Sequence, residues 1–123
     1  MQSIKSVILI VEDEVVVRMV AAKVATNCGF EVLEASSADE AIDILEARSD
    51  IRLVFTDVNM PGSMDGLQLA HAIRGRWPPV ALLVTSAFGN ITAKDLPERG
   101  RFLPKRPYDV GALSEAFQQM AGD

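Results

Sequence analysis

The chain has 123 residues, of which 49% are hydrophobic and 24% charged, and its formal net charge is −5. This composition predicts one globular domain, because it offers enough apolar surface to offset the entropy of ordering. The negative charge argues against direct nucleic-acid binding, which needs a basic face, and no apolar run approaches the ~20 residues of a membrane span.

The first elements alternate between strand-like and helix-like patterns. Residues 7–11 are a continuous run of β-branched residues and Leu, typical of a strand buried on both faces. Asp13 can cap the following helix, and Gly29 ends it. Cys28, near the end of this helix, is interpreted as a small core residue. The predicted buried face of the helix carries Val17, Val20, Ala21 and Val24.

A second strand and helix follow, and then a third strand. Residues 30–34 read as the second strand, and residues 53–57 as the third, which ends at Asp57. Between them, Ser37 and Glu40 form a capping-box pattern for a helix that runs to about Arg48. Its predicted inward residues are Ala41, Ile42 and Leu45.

The second half continues the alternation after a turn-rich segment at residues 60–66. Residues 67–74 are predicted to be helical, and residues 80–85 form a fourth buried strand. The segment 89–101 predicts only a short or distorted helix, because Pro97 interrupts it. The remaining elements are a fifth strand at 102–103 and a last helix at 110–120. The expected buried faces of the two later helices are Leu67, Ala70 and Ile73, and Leu113, Phe117 and Met120.

Five strands alternating with about five helices predict a doubly wound α/β fold with a parallel sheet, because parallel neighbours need crossover connections. Functional groups in such sheets gather beyond the carboxyl ends of the strands. The polar residues that follow the strands are Glu12, Asp13, Glu14, Asp57, Thr85, Ser86, Lys105 and Arg106.

This set can receive a phosphoryl group. Carboxylates crowded into one crevice repel one another, and a divalent cation with oxygen ligands, typically Mg²⁺, removes that repulsion. One carboxylate can then attack phosphorus while a hydroxyl and a lysine stabilise its oxygens. Each group alone also has an ordinary explanation as a helix cap, an Asx turn or a surface charge.

Four segments together resemble the receiver domains of bacterial two-component response regulators. They are the acidic pair in residues 11–14, the phosphoacceptor segment in 55–61 with 65–66, the hydroxyl step in 84–87 and the lysine–proline segment in 102–108. The resemblance runs from about residue 7 to residue 120. It implies a flavodoxin-like, five-stranded parallel sheet of order 2-1-3-4-5, with the fourth of about five helices short or distorted.

The resemblance also implies residue roles. Asp57 would accept the phosphoryl group from a phosphohistidine, and Asp13, Asp57 and the backbone carbonyl of Asn59 would bind Mg²⁺, with Glu12 acting through water. Ser86 would contact the phosphoryl group and Lys105 would pair with it. Phe102 is the implied switch aromatic, which swings inward when Ser86 moves.

Two assignments in the resembling segments stay open. Arg106 intervenes between Lys105 and Pro107, so either cation can fill the lysine position, and the Arg106–Pro107 bond can be cis or trans. Thr85 or Ser86 can be the switch hydroxyl, and Ser86 is preferred because small Ala87 follows it.

The resulting prediction is a single stand-alone receiver domain at residues 1–123 without an output domain. The protein is expected to be cytoplasmic. It is not expected to be an enzyme, since it would catalyse at most its own phosphorylation and dephosphorylation. The expected partners are a sensor histidine kinase or phosphotransfer protein and a downstream protein target, with no direct nucleic acid and no membrane.

Three other interpretations of the sequence compete with this prediction. A phosphorylation-independent binding module keeps the fold without the switch. A metal-dependent phosphohydrolase would place its nucleophile after the first strand, where Glu12 stands. A flavin-binding domain would need a hydroxyl- and glycine-rich phosphate loop there, and three acids would repel the phosphate.

Overall fold

The computed structural model describes residues 5–87, 91–104 and 110–122. The strands in these ranges are β1 (Val7–Val11), β2 (Glu31–Ala35), β3 (Ile51–Asp57), β4 (Ala81–Ser86) and β5 (Gly100–Pro104). The α-helices are α1 (Val15–Asn27), α2 (Ala38–Ala47), α3 (Gly66–Arg76) and α4 (Val110–Ala121), and a single 3-10 turn covers Ala93–Asp95. Within this described part, every helix is too short or too polar to cross a membrane.

All five strands are parallel and lie in the order β2-β1-β3-β4-β5. The predicted doubly wound, flavodoxin-like sheet is therefore confirmed. After β1 the chain builds one edge with β2 and then returns to place β3 on the other side of β1. Strand order thus reverses between β1 and β3, and open α/β sheets typically bind ligands beyond the carboxyl ends of the strands at such a reversal.

Two apolar layers cover the two faces of the sheet, because successive side chains of a strand point to opposite faces. Leu9, Val54 and Leu82 belong to the layer that includes residues of α2 and α3. Ile8, Phe55 and Leu83 belong to the layer that includes residues of α1 and α4. Within the second layer, the rings of Phe55 and Phe117 meet edge to face with their centroids 5.5 Å apart.

Helix α1 begins differently from the prediction. Glu14, not Asp13, occupies the N-cap position, and its side chain makes no capping bond. Asp13 was wrongly predicted as the cap, because the carboxylate that accepts from an N-terminal amide is that of Glu12, whose Oε2 lies 3.1 Å from the Glu14 nitrogen. Val20 was also wrongly placed inside, since it is 38% exposed at the edge of the buried stripe. The buried residues of α1 are Ala21, Val24 and Ala25.

The ends of α1 and α2 follow the sequence closely. Gly29 has a φ of 93°, a left-handed conformation that Gly adopts without strain, so it ends α1 as predicted. Cys28 is only half-buried, and its sulfur lies 3.1 Å from Ser114 Oγ on α4. Ser37 caps α2 by accepting from the Glu40 nitrogen at 3.2 Å. The Glu40 carboxylate accepts from the Ser36 nitrogen at 2.6 Å. The capping box expected from the sequence would use the nitrogen of the next residue, Ser37.

Helix α3 buries a different leucine from the one predicted. Leu69, Ala70 and Ile73 are buried, whereas Leu67 is only half-buried. The helix starts at Gly66, which packs directly against β3, and this contact determines which face turns toward the sheet. The predicted face was therefore wrong at Leu67.

The described part of the segment between β4 and β5 contains only the 3-10 turn, as the predicted short or distorted helix anticipated. Two side chains of α3 hold it. His71, exposed as expected, places Nε2 2.7 Å from the Asp95 carbonyl oxygen, and Arg74 Nε donates to the Glu98 carbonyl at 2.6 Å. These two bonds to main-chain acceptors, together with the packing of Leu96 against the core, tie the segment to the sheet and to α3.

Candidate functional site

Three carboxylates meet beyond the carboxyl ends of β1 and β3. Glu12 and Asp13 follow β1, Asp57 ends β3, and one oxygen of each lies within 4.8 Å of the others. Glu12 and Asp57 are each only 3% exposed, and Asp13 is half-buried. Negative groups held so close and so far from water repel strongly, and a hard cation with oxygen ligands relieves that repulsion. The donor set therefore fits Mg²⁺.

The main chain around Glu12 is held from two sides. The Glu12 nitrogen donates to the Ala35 carbonyl at 3.0 Å, which continues the β1–β2 pairing past the strand end. Arg18 Nη1 donates to the Glu12 carbonyl at 2.9 Å, and its Nε donates to Glu34 Oε1 at 3.1 Å. The sequence did not point to Arg18, because its contact with Glu34 forms only when α1 packs over β2.

Asp57 is oriented by the loop that follows it. Its Oδ1 accepts from the Asn59 nitrogen at 3.0 Å, which is the Asx-turn bond that the sequence offered as the ordinary explanation. Thr56 Oγ1 donates to the Asp57 carbonyl at 3.1 Å. Asp57 therefore both accepts the Asx-turn hydrogen bond and belongs to the acidic cluster.

Gly66 allows α3 to begin directly on the backbone of Asp57. A Cβ at Gly66 would lie 1.9 Å from the Asp57 carbonyl oxygen and 2.8 Å from Thr56 Oγ1. The Gly66 nitrogen donates to the Val58 carbonyl at 3.0 Å. Gly66 was part of the resembling segment, but its steric reason needs the tertiary structure.

The two candidate hydroxyls lie on opposite faces of the sheet. Thr85 is the direct register partner of Asp57, and partners in parallel strands point to the same face. Its Oγ1 is buried and has no hydrogen-bond partner among the described residues. Ser86 points to the other face, where its Oγ accepts from Asn59 Nδ2 at 3.0 Å. Thr85 therefore lies on the same sheet face as Asp57, and Ser86 lies next to the loop that follows Asp57.

Phe102, the remaining predicted residue that the structure describes, lies on β5. Phe102 pairs with Val84 and packs half-buried against the layer on the α2 and α3 face. Leu103, not Phe102, is the register partner of Thr85. Lys105 and the Arg106–Pro107 bond fall outside the described residues. The described site thus contains an acidic cluster and a buried hydroxyl, a combination suited to phosphoryl transfer.

Known proteins share this sequence pattern and fold. The family model for the response regulator receiver domain matches residues 8–102. The sensor kinase CckA of Brucella abortus is 33% identical over 117 residues, which are 92% of this chain and 12% of the kinase. The chain therefore spans only a small part of this relative, as it does of a second relative, where it covers 17%.

Solved structures agree. The crystal structure of the receiver domain from the hybrid histidine kinase CckA is 37% identical, with a TM-score of 0.77, and the match covers 93% of this chain and 97% of that domain. The response regulator TrrA of Thermotoga maritima, solved in complex with Mg²⁺–BeF, is 22% identical with a TM-score of 0.81, over 95% of this chain and 99% of that one, and shows the shared fold. The chain therefore belongs to the response regulator receiver domain family.

Proposed function

We propose that this receiver domain accepts a phosphoryl group on Asp57, with Mg²⁺ bound, from a phosphohistidine of a sensor histidine kinase or phosphotransfer protein. The observation that carries the proposal is the convergence of Glu12, Asp13 and Asp57 within 4.8 Å at the strand-order reversal. Membership of the receiver family supports phosphoryl acceptance in general, and the geometry supports Asp57 as the acceptor.

The acidic cluster would hold the metal. Asp13 and Asp57 would be direct ligands together with the Asn59 backbone carbonyl, and Glu12 would act through water. A bound Mg²⁺ would supply the positive charge that balances the phosphoryl oxygens. The Mg²⁺–BeF complex of TrrA, a protein of the same fold, is consistent with this assignment.

In the transfer step, a carboxylate oxygen of Asp57 forms a bond to phosphorus while the phosphorus–nitrogen bond of the phosphohistidine breaks. Ser86 would donate its hydroxyl to a phosphoryl oxygen, and Lys105 would pair with the phosphoryl charge. Thr85, whose buried hydroxyl faces the same side as Asp57, is the alternative donor. A buried donor without a partner has most to gain from a new acceptor.

The output would be a change in a protein-binding face around β5. Phe102 would change its packing when the neighbouring hydroxyl moves, and a downstream protein target would read the difference. The proposed receiver is a cytoplasmic switch that catalyses nothing beyond its own phosphorylation and dephosphorylation. Phosphorylation can favour the active packing only through contacts that differ between the two states.

Labelling with radioactive acetyl phosphate tests the proposal. The wild-type protein should take up one phosphoryl group in the presence of Mg²⁺ and none in excess chelator, and Asp57→Asn should remain unlabelled. Asp43→Asn, which removes an exposed carboxylate of α2, is the matched control and should label normally.

Three results would contradict the proposal. Labelling of Asp57→Asn would move the acceptor elsewhere. Sustained turnover of aryl phosphates would indicate a phosphohydrolase. A wild-type protein that stays unlabelled, yet binds its partner equally with and without beryllofluoride, would indicate a phosphorylation-independent module.

A further inference from the structure

Arg18 connects helix α1 to the acidic end of β1 and to the edge strand β2. Its Nη1 donates to the Glu12 carbonyl at 2.9 Å, and its Nε donates to Glu34 Oε1 at 3.1 Å. The Arg18 side chain is 18% exposed, whereas that of Glu34 is 45% exposed. One guanidinium therefore joins the main chain beside the acidic cluster to a carboxylate on the strand paired with β1.

Asp13 lies in a short segment, residues 12–14, that is held on both sides of it. The Arg18 guanidinium donates to the Glu12 carbonyl, and the Arg18 backbone nitrogen donates to the Glu14 carbonyl at 2.9 Å. Glu12 Oε2 accepts from the Glu14 nitrogen at 3.1 Å, which closes the segment on itself. The contacts that set the position of Asp13 thus converge on Arg18.

The charge of Arg18 would by itself oppose metal binding. A cation beside a metal site repels the metal, and the repulsion is strong where water is largely excluded. Glu34 removes most of this effect, because a carboxylate paired at 3.1 Å cancels the guanidinium charge at longer distances. The pair therefore keeps the directional hydrogen bond to Glu12 and adds little net charge.

We propose that Arg18, held by Glu34, is a positioning residue that orients the acidic segment 12–14 for Mg²⁺ and so raises the affinity of the site for the ion. This inference rests on the proposed function. Arg18 would not be a ligand, because a guanidinium has no acceptor atom. It acts through the main chain of the segment, as residues behind metal ligands commonly do.

Isothermal titration calorimetry with Mg²⁺ alone, on the whole chain without a phosphodonor, tests the inference. Arg18→Met removes both side-chain bonds and should weaken Mg²⁺ binding about three- to tenfold. Glu34→Gln leaves the Arg18 charge uncompensated and loosens its anchor, so it should weaken binding by a similar factor. The double variant should bind no more weakly than the weaker single variant, because both substitutions disrupt the same contact.

Arg18→Lys separates geometry from charge. Lys keeps the positive charge, but its single ammonium group cannot reproduce the two separate donors of the guanidinium. We expect Arg18→Lys to bind Mg²⁺ about as weakly as Arg18→Met. Wild-type affinity in Arg18→Lys, or tighter binding in Arg18→Met, would overturn the inference.

Glu31→Gln is the matched control for the loss of a paired carboxylate on β2. Glu31 pairs with Arg48 at 3.2 Å, and it begins the strand, whereas Glu34 lies near its carboxyl end. The Mg²⁺ affinity of Glu31→Gln should equal that of the wild type. Thermal melts without Mg²⁺ report on folding, and if Arg18→Met does not fold, the exposed substitution Glu34→Gln carries the test.

The possible failures are distinct. Unchanged Mg²⁺ affinity in a folded Arg18→Met or in Glu34→Gln, whatever the change in Tm, would refute the positioning role while leaving the metal site. An equal loss of affinity in Glu31→Gln would refute it as well, because the effect would then follow from surface charge in general. A wild-type protein that binds no Mg²⁺ would overturn the proposed function, and this inference with it.

Discussion

Replacing Gly66 with Ala should destabilise the protein through one contact with the site. The added Cβ would lie 1.9 Å from the Asp57 carbonyl oxygen and 2.6 Å from its carbonyl carbon, whereas ordinary contacts begin at 3.4 Å. Both atoms belong to the backbone of a central strand, which cannot rotate out of the way. Either α3 must move outward or the end of β3 must shift.

The expected magnitude follows from the two opposing effects of the substitution. Forcing an extra methyl group into a packed site costs about 1–3 kcal/mol, and a backbone neighbour places Gly66 at the upper end. The greater helix propensity of Ala, up to about 1 kcal/mol, offsets part of this. The net loss should be about 2 kcal/mol in the free energy of unfolding, or a fall of roughly 8 °C in Tm.

Urea unfolding followed by far-ultraviolet circular dichroism measures this loss, and the same helix provides a control. A Cβ at Gly75, near the end of α3, meets nothing within 4 Å. Gly75→Ala should therefore stabilise the protein by about 0.5–1 kcal/mol. The reasoning fails if Gly66→Ala is as stable as the wild type, or if both variants lose stability equally.

Three other substitutions test separate features. Ser37→Ala removes the cap that accepts from the Glu40 nitrogen and should lower the free energy of unfolding by ~1 kcal/mol, and an unchanged urea midpoint would contradict this. Arg48, through its hydrogen bond, holds the pKa of Asp50 below its usual range; the stabilisation is present above about pH 4 and is lost as the pH falls through the folded-state value. The stability difference between the wild type and Asp50→Asn, measured from pH 7 to pH 2, should therefore shrink in acid, and a constant difference would refute the pairing. Mg²⁺ at one hundred times its Kd should add about 2.7 kcal/mol to the free energy of unfolding of the wild type and so raise its Tm. In a thermal melt, Asp13→Asn should abolish most of this rise in Tm.

The alternation of strands and helices could be predicted from the sequence, because the spacing of apolar residues differs between strands and helices. Buried runs such as Val7–Val11 predict central strands whatever the rest of the chain does. Gly29 and Ser37 end and begin helices through local backbone geometry and capping, which also need no distant partner. The acids after β1 and β3 could be placed at one edge because all carboxyl ends of a parallel sheet lie together.

Details that depend on facing or register were not readable. The exposed Val20 and the half-buried Leu67 follow the helical period, but which way a helix turns is determined by what it packs against. Thr85 and Ser86 both carry a hydroxyl group, so the sequence does not say which sheet face each one occupies. Only the pairing of Asp57 with Thr85 distinguishes the two faces.

The amino-acid sequence by itself determined the order of elements, the fold and the group of acids at one sheet edge, because these follow from local periodicity and from the rules of parallel crossovers. Only the tertiary structure decided that Arg18 holds the Glu12 main chain, that Gly66 must lack a side chain, and that Ser86 bonds to Asn59. Each of these depends on distances of a few ångströms between groups on different strands, helices and loops, and such distances are determined only when the two apolar layers pack.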